Sequence, residues 1–418
     1  MTWPVLEQFA WPASQLLLAP FLLHRLGASQ FGLWILALTF VFGAPVLSLG
    51  RSLSLLVLIP QQRSTASPTA WLLHRVLRQI GWVAPVVVLS ATAVAWNWYG
   101  VVPVDRQTLA LYAALTAGLV VATELDNAFA LALKGYSRFR VGALCEVAGR
   151  AVQVVAFLLL IRQGDGVLTA LSLSLACTAA KACLKAWALH RSREPAESVA
   201  DAPPQPPALA REMTQLGLWN MLQVASGMIF FGYDRWLVGY VAGTAALGAY
   251  GICSQYVQFS HSIASAAGQP LIPWAARQLA ANGQPVDARR LRRVFLLTAL
   301  LSCVPVTLCW LLATPALSLW ISPAFAAANG PLVDRLCIAF LLLALNIPIS
   351  NLLMGMREAR LVALAGLVAG LGLVAASQLW RPGGLAAVVD LKIGYAVFAL
   401  VLAWPLLRRL RVSSRGAT

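Results

Sequence analysis

The chain has 418 residues, of which 60% are hydrophobic and only 11% are charged, and its mean hydropathy is +0.75. One soluble core cannot bury so much apolar surface, so the composition predicts an integral membrane protein and excludes a soluble enzyme. The net charge of +16 does not indicate nucleic-acid binding, because most basic residues fall in alternate connections between apolar segments.

Apolar stretches follow one another along the whole chain. Each has roughly 20 residues, enough to cross a hydrocarbon core of about 30 Å at roughly 1.5 Å per residue. The predicted segments are 3–23, 31–58, 80–98, 107–132, 141–161, 167–188, 214–241, 246–268, 294–318, 331–353, 361–380 and 385–406. The pattern therefore predicts an all-α polytopic membrane protein with about twelve transmembrane helices.

Three local features modify this pattern. The run Gly43-Ala-Pro45 inside the second segment predicts a kink. The stretch from Trp71 to Arg78 has apolar and basic residues at helical spacing, so it either lies in the cytoplasmic interface or begins the third segment early. The longest polar stretch, residues 191–212, is rich in Pro, Ala and Glu and is predicted to be a linker.

The distribution of basic residues predicts the orientation. Twenty Arg and Lys residues fall in the even-numbered connections and the C-terminal tail, against four in the odd-numbered connections. The positive-inside rule then places both termini in the cytoplasm. The first residues lack a basic region and a clear cleavage site, so the first segment is expected to stay in the mature protein. The seven cysteines all lie in apolar segments and are predicted to be packing residues, with no metal site.

A sequence signature occurs twice in the chain. Gly27-Ala-Ser-Gln-Phe-Gly-Leu-Trp34 is echoed 216 positions later by Gly243-Thr-Ala-Ala-Leu-Gly-Ala-Tyr250, since 243 − 27 and 250 − 34 are both 216. A second echo pairs the turn at Gly135 with the turn at Gly355, an offset of 220. The chain is therefore predicted to contain two copies of one helical bundle.

Each copy contains an even number of segments, which has a consequence for its orientation. Six crossings return the chain to its starting side, so both copies insert the same way, related by a pseudo-twofold axis along the membrane normal. The predicted domains are an N-lobe at 1–195, a cytoplasmic linker at 196–212 and a C-lobe at 213–418. Paired bundles of this kind commonly move a substrate across a bilayer by rocking around a site between them.

The chain resembles a known transporter family in three places. These are GASQFGLW at 27–34, the stretch 234–243 leading into Leu-Gly-Ala-Tyr-Gly, and the basic turn Gly-Tyr-Ser-Arg-Phe-Arg at 135–140. Their order, spacing and duplication resemble the Wzx-type oligosaccharide and polysaccharide flippases of the MOP superfamily, which also contains MATE exporters and lipid II flippases. The resemblance implies two six-helix lobes in a V around a central cavity, an alternating-access cycle and a lipid-linked oligosaccharide substrate.

Ionisable residues inside the segments are the candidate site residues. Inserting one at the bilayer centre costs about 2.5–3.5 kcal/mol on insertion scales, so such a residue is normally kept for a function. Arg51 is far from both ends of its segment. It either faces a cavity and grips a phosphate through two parallel hydrogen bonds, or it pairs with Glu7 on the neighbouring helix. Arg235, Arg25 and Arg150 complete the candidate phosphate-binding residues.

The acidic residues are candidates for coupling transport to a proton or sodium gradient. Glu124, Asp126, Glu146 and Arg150 lie at comparable depths in the fourth and fifth segments, so they are predicted to meet. Glu146 and Arg150 are also spaced i,i+4. The group forms either a structural lock or an ion-coupling site, and its excess of acids keeps the second alternative open. Glu7 and Asp234 are the remaining ion-coupling candidates.

The other charges have structural interpretations. Lys181 and Lys185 are predicted to snorkel towards lipid phosphates at the end of the sixth segment. The pair Asp334-Arg335 is predicted to cap the start of the tenth segment. Asp390 and Lys392 are two residues apart, point to different helix faces, and are each expected to pair with another helix.

Together these features predict a flippase of the bacterial inner membrane. Its substrate would be an undecaprenyl-diphosphate-linked oligosaccharide, moved from the cytoplasmic to the periplasmic leaflet for cell-surface polysaccharide synthesis. A MATE-type drug exporter or a lipid II exporter is the alternative within transport. A membrane polymerase or ligase is the alternative from another class, but the chain lacks the long, charged outer loop of such enzymes, so no catalytic residue and no cofactor are expected. Membrane lipids and polysaccharide polymerase or assembly proteins are the expected partners.

Overall fold

A computed structural model of the protein describes residues 2–64, 70–97, 105–192, 207–268, 270–272, 274–275, 288–355, 359–380 and 383–402. The regular elements in these ranges are helical, and the α-helices are α1 (Thr2–Val41), α2 (Arg51–Ser64), α3 (Ala70–Asn97), α4 (Arg106–Gly135), α5 (Phe139–Leu160), α6 (Val167–Ser192), α7 (Pro207–Met228), α8 (Asp234–Gly268), α9 (Ala288–Leu311), α10 (Ala313–Trp320), α11 (Pro323–Gly355), α12 (Ala359–Trp380) and α13 (Leu385–Ala399). A π-helical turn, Ile229–Tyr233, joins α7 to α8. The predicted linker up to residue 206 and the basic tail at 408–415 lie outside the described residues.

The helices match the predicted membrane segments. Nine stretches of described residues are long and apolar enough to cross a membrane, and two of them, Phe9–Val46 and Leu209–Gly268, are long enough for two crossings each. Helix α13 with the 3₁₀ turn Leu400–Leu402 lies within the predicted last segment, 385–406. The predicted all-helical polytopic architecture with about twelve crossings is confirmed.

The duplicated signature has the same backbone geometry in both copies. Gly27 interrupts α1 with φ 76° and ψ 163°, and Gly243 interrupts α8 with φ 84° and ψ 172°. An added Cβ would meet no atom within 4 Å at either position, so glycine is required there by the positive φ and not by space. The predicted segments leave connections at 24–30 and 242–245; the structure instead turns each corner at one glycine with helix on both sides.

The second membrane crossing is broken in the middle. Helix α1 ends at Val41, a 3₁₀ turn covers Ala44–Val46, and α2 begins at Arg51. The predicted kink at Gly43–Pro45 is therefore confirmed, and it is a complete interruption of the helix. The break places Arg51 at the first turn of a new helix.

The first compact unit contains residues 1–228. Helix α4 lies at its centre, packed on α2, α3 and α6. Helix α3 begins at Ala70, and its Trp71, Leu72 and Val76 are buried in this core, so the stretch from Trp71 is continuous with the third segment. Helix α7 packs on α2 and belongs to the first unit. The predicted C-lobe begins at residue 213, inside this helix, and that lobe boundary stays a prediction.

The second compact unit contains residues 229–418. Helix α8 packs on α9, α11 and α13, and Phe230, Phe340 and Tyr395 meet in an aromatic group inside the unit. Helix α11 begins at Pro323, eight residues before the predicted tenth segment, and continues through Pro331. The short helix α10 precedes it.

Candidate functional site

Arg51 is held by neutral groups in the first unit. Its guanidinium donates hydrogen bonds to Gln79 Oε1 of α3 and, at 3.3 Å, to Thr214 Oγ1 of α7. Among the described residues no carboxylate lies within 4 Å of it, and Arg75 of α3 is close enough for its charge to repel that of Arg51. The predicted alternative pair with Glu7 is wrong, because Glu7 binds Lys134 Nζ at 2.9 Å.

Within the described residues, these contacts leave the charge of Arg51 without a carboxylate partner. A guanidinium has five N–H donors in a fixed planar fork, and the two neutral acceptors engage only part of it. The helix break fixes the position of this half-buried side chain, and Arg75 adds a second positive charge nearby. This arrangement can bind an anion, phosphate above all.

A cluster of charges, here called the lysine–carboxylate cluster, joins α4, α5 and α6. Lys181 Nζ lies 2.9 Å from Asp126 Oδ2 and 2.7 Å from Glu146 Oε1. Lys185 Nζ lies 2.9 Å from Asp126 Oδ1 and 2.6 Å from Glu146 Oε2. Each lysine therefore bridges both carboxylates, and the four groups form a closed ring of alternating charge.

The prediction that Lys181 and Lys185 snorkel to lipid phosphates is wrong. Their exposed fractions are 4% and 1%. Helix α6 continues to Ser192, so both lysines lie further from its end than the predicted segment boundary suggested. Two buried carboxylates on the neighbouring helices supply counterions that lipid would otherwise provide.

Arg150 completes the lysine–carboxylate cluster. It donates to Glu146 Oε1 at 2.9 Å, as the i,i+4 spacing predicted, and to Gln153 Oε1 at 2.9 Å. The cluster therefore has three cations and two carboxylates, and the expected excess of acids is wrong. These contacts tie three helices together, which favours the structural alternative. Arg150, a predicted phosphate ligand, is one of the groups that they hold.

Glu124 lies apart from this cluster. Its carboxylate is completely buried and accepts a hydrogen bond of 2.5 Å from the Ser52 hydroxyl of α2, with Ser48 and Asn127 alongside. No basic side chain in the described part of the chain pairs with it. The prediction that Glu124 meets Asp126 is wrong because residues two apart on a helix point about 200° apart.

The second unit contains a buried pair, here called the Asp234–Lys392 site. Lys392 Nζ of α13 lies 2.5 Å from Asp234 Oδ2 at the start of α8, and the Tyr250 hydroxyl donates to the same oxygen. Lys392 pairs with another helix, as predicted, but the identity of its partner was not predicted, because 158 positions separate Lys392 from Asp234. No local spacing connects residues so far apart.

Arg235 and Arg25 have different surroundings. Arg235 is 2% exposed and donates to Gln258 Oε1 at 3.1 Å, a contact inside the second unit. Arg25, near the Gly27 corner of the first unit, has its guanidinium carbon 5.5 Å from the centroid of the Phe21 ring. A guanidinium over an aromatic face is electrostatically favourable, because the face of the ring carries partial negative charge.

The prediction that Asp334 and Arg335 cap the start of the tenth segment is wrong. Asp334 and Arg335 lie inside α11, so they do not cap its start. Arg335 pairs with Asp390 of α13 at 2.8 Å to each carboxylate oxygen, and Asp334 accepts from the Trp310 indole N–H at 2.8 Å. Asp390 thus pairs with another helix, as predicted.

The architecture defines the class of this protein as a polytopic helical membrane protein. More narrowly, it has the MATE-like fold of MOP superfamily transporters. It is similar to an inward-facing multidrug resistance MATE family transporter of the MOP superfamily, with a TM-score of 0.73 and 14% identity over 99% of this chain and 96% of the other. It is also similar to the lipid II flippase MurJ in an inward closed conformation, with a TM-score of 0.72 and 10% identity over 99% and 89%.

Two other comparisons bear on this fold. The MatE family model matches residues 217–376, and the MATE multidrug transporter DinF-BH aligns with a TM-score of 0.70 and 14% identity over 97% of this chain and 93% of the other. No curated protein sequence matches the chain. The predicted MATE-like fold is confirmed, whereas the narrower resemblance to Wzx-type flippases stays a prediction. The three solved structures named here are two transporters and a flippase.

Proposed function

We propose that this protein is an alternating-access flippase of the bacterial inner membrane. It moves a polyprenyl-diphosphate-linked oligosaccharide from the cytoplasmic to the periplasmic leaflet. The observation that carries this proposal is Arg51, a cation at membrane depth that only neutral side chains hold within the described residues. The duplicated glycine corners and the fold shared with MATE proteins and a lipid II flippase support it.

The free-energy barrier to unassisted movement of such a headgroup through the bilayer is large. Moving one hydroxyl group into a medium without hydrogen-bond partners costs about 4–8 kcal/mol, and an oligosaccharide has many of them. A diphosphate adds negative charges that cross hydrocarbon only with counterions. Arg51, with Arg75 nearby, supplies positive charge for the diphosphate, while the prenyl chain stays in lipid.

The alternative of a cationic-drug exporter fits the charges less well. Such a transporter needs carboxylates that are free to meet a cation. Four of the five acidic candidates instead hold an internal cation: Glu7, Asp126, Glu146 and Asp234 each pair with a lysine. The charge balance therefore favours an anionic substrate.

Glu124 is the best candidate for coupling the cycle to a proton gradient. It is the one acidic candidate without a basic partner in the described part of the chain, and its carboxyl has no access to solvent. A buried carboxylate without a counterion is costly, and binding a proton removes that cost. Its partner Ser52 follows Arg51 directly on α2, so a movement of α2 would reach both the anion site and the proton site.

The test is to replace Arg51 and to follow flipping. In a strain that lacks the native gene, Arg51→Ala is expected to abolish export and to accumulate the lipid-linked oligosaccharide on the inner leaflet. Arg51→Lys keeps the charge but not the planar fork, and should retain partial export. Arg138→Ala, at an exposed arginine of the same unit, is the matched control with normal export. Full export by Arg51→Ala at normal protein level would refute the proposed role.

A further inference from the structure

The Asp234–Lys392 site has the composition of a binding site for an ammonium ion. Lys392 Nζ lies 4.5 Å from the centroid of the Phe230 ring, 5.1 Å from that of Phe340 and 5.9 Å from that of Phe231. The Asp234 carboxylate closes the remaining side at 2.5 Å. The ammonium group is therefore surrounded by three aromatic rings and one carboxylate.

The walls of this site and its occupant come from different parts of the second unit. Phe230 and Phe231 belong to the π-helical turn, Asp234 to the start of α8 and Phe340 to α11. Lys392, which is 1% exposed, comes from α13, and Tyr395 of the same helix packs against Phe230 with the ring centroids 4.8 Å apart. The three rings and the carboxylate that contact the ammonium group thus belong to elements other than the helix that carries the lysine.

Aromatic faces combined with a carboxylate are the means by which proteins hold alkylammonium ligands. We infer that Lys392 occupies an ammonium-binding site as a tethered ligand and that its side chain is the selectivity residue that closes this site to free organic cations. Removing the side chain opens the site to small alkylammonium ions. The inference is independent of the proposed substrate, because it concerns only the chemistry of these side chains.

The neighbouring groups determine what enters the opened site. Without Lys392, the described partners of the Asp234 carboxylate are the Tyr250 hydroxyl and the backbone N–H of Arg235. The Arg235 guanidinium donates to Gln258, and His261 packs edge-on against Phe340. A carboxylate left buried without its ammonium partner is strongly unfavourable, so a matching cation is expected to bind there.

The size of the ligand follows from the truncation. Lys392→Ala keeps Cβ and removes three carbons and the ammonium group, so n-propylammonium has the atoms of the missing side chain. The full-length Lys392→Ala variant, purified in detergent, is expected to melt below the wild type. Millimolar n-propylammonium chloride should raise its melting temperature by several degrees and leave the wild type unchanged, because binding to the folded state stabilises it.

Three controls separate this inference from simpler explanations. Sodium chloride at equal ionic strength and the neutral n-propanol should not stabilise Lys392→Ala. The double variant D234N/K392A, which lacks the carboxylate, should lose the response to the amine. Lys392→Met, whose side chain refills the site, should also give no response.

The outcomes are decisive in either direction. Equal stabilisation by n-propanol would show an apolar cavity only and would overturn the inference, as would the absence of any amine response. If Lys392→Ala does not fold alone, it is produced with n-propylammonium or with sodium chloride. Recovery of monodisperse protein with the amine alone then supports a cation site, and failure with both overturns it. Loss of export in Arg51→Ala has no bearing on these results.

Discussion

The two units bury charge in different ways although they share a duplicated helical signature. In the first unit, the lysine–carboxylate cluster spreads two carboxylates and three cations over α4, α5 and α6. In the second unit, one carboxylate meets one lysine beneath three aromatic rings. The two units therefore share the backbone geometry of their glycine corners but differ in how their buried charges are arranged.

This difference has an energetic consequence. In the lysine–carboxylate cluster, each carboxylate has at least two cationic neighbours, so removing one cation leaves another. In the Asp234–Lys392 site, the carboxylate has one lysine partner, and the nearby Arg235 guanidinium, which also attracts it, donates to Gln258. The second unit should therefore be the more sensitive to a single substitution.

The largest expected effect is that of Lys392→Met. Removing one member of a buried ion pair costs about 3–5 kcal/mol, because the other charge is left uncompensated. The double variant D234N/K392M, in which neither charge remains, should recover much of that loss. Thermal melting of the purified proteins measures both, and a double variant less stable than the single one would contradict this account.

A smaller loss is expected from Lys185→Met in the first unit. Lys181 continues to bridge Asp126 and Glu146, and Arg150 still binds Glu146, so the two carboxylates keep cationic partners. The variant should melt above Lys392→Met in the same detergent. A loss equal to that of Lys392→Met would show that the cluster does not share its charges.

The two glycine corners test what the units have in common. Gly27→Ala and Gly243→Ala each force an L-residue into a positive-φ region with extended ψ that essentially only glycine adopts, at a cost of about 1–3 kcal/mol. Because an added Cβ meets nothing at either position, the two losses should be equal. Melting temperatures of the two variants measure this. A clearly larger loss at one corner would show that the repeat is structural in only one unit.

The sequence predicted the helices well because apolar length and the glycine repeat are local signals. It also predicted the Glu146–Arg150 contact, which depends only on helical spacing. It failed for Lys181, Lys185 and Asp234, whose partners lie on other helices, since a single sequence does not show which faces of distant helices meet. The separation of Glu124 from Asp126 could have been predicted, because the same helical geometry that joins residues four apart separates residues two apart.

The smallest effect on stability is expected from Glu124→Gln. The amide is nearly isosteric with the protonated carboxyl and its oxygen can still accept from the Ser52 hydroxyl, so the melting temperature should change little. Transport should respond strongly, because the amide cannot release a proton. Flipping in proteoliposomes should become insensitive to an imposed pH gradient, whereas Asp105→Asn, at an exposed helix cap of the same unit, should leave that sensitivity intact. If Glu124→Gln retained the full response to the gradient, proton coupling would have to reside elsewhere, and the four lysine-paired carboxylates would become the candidates.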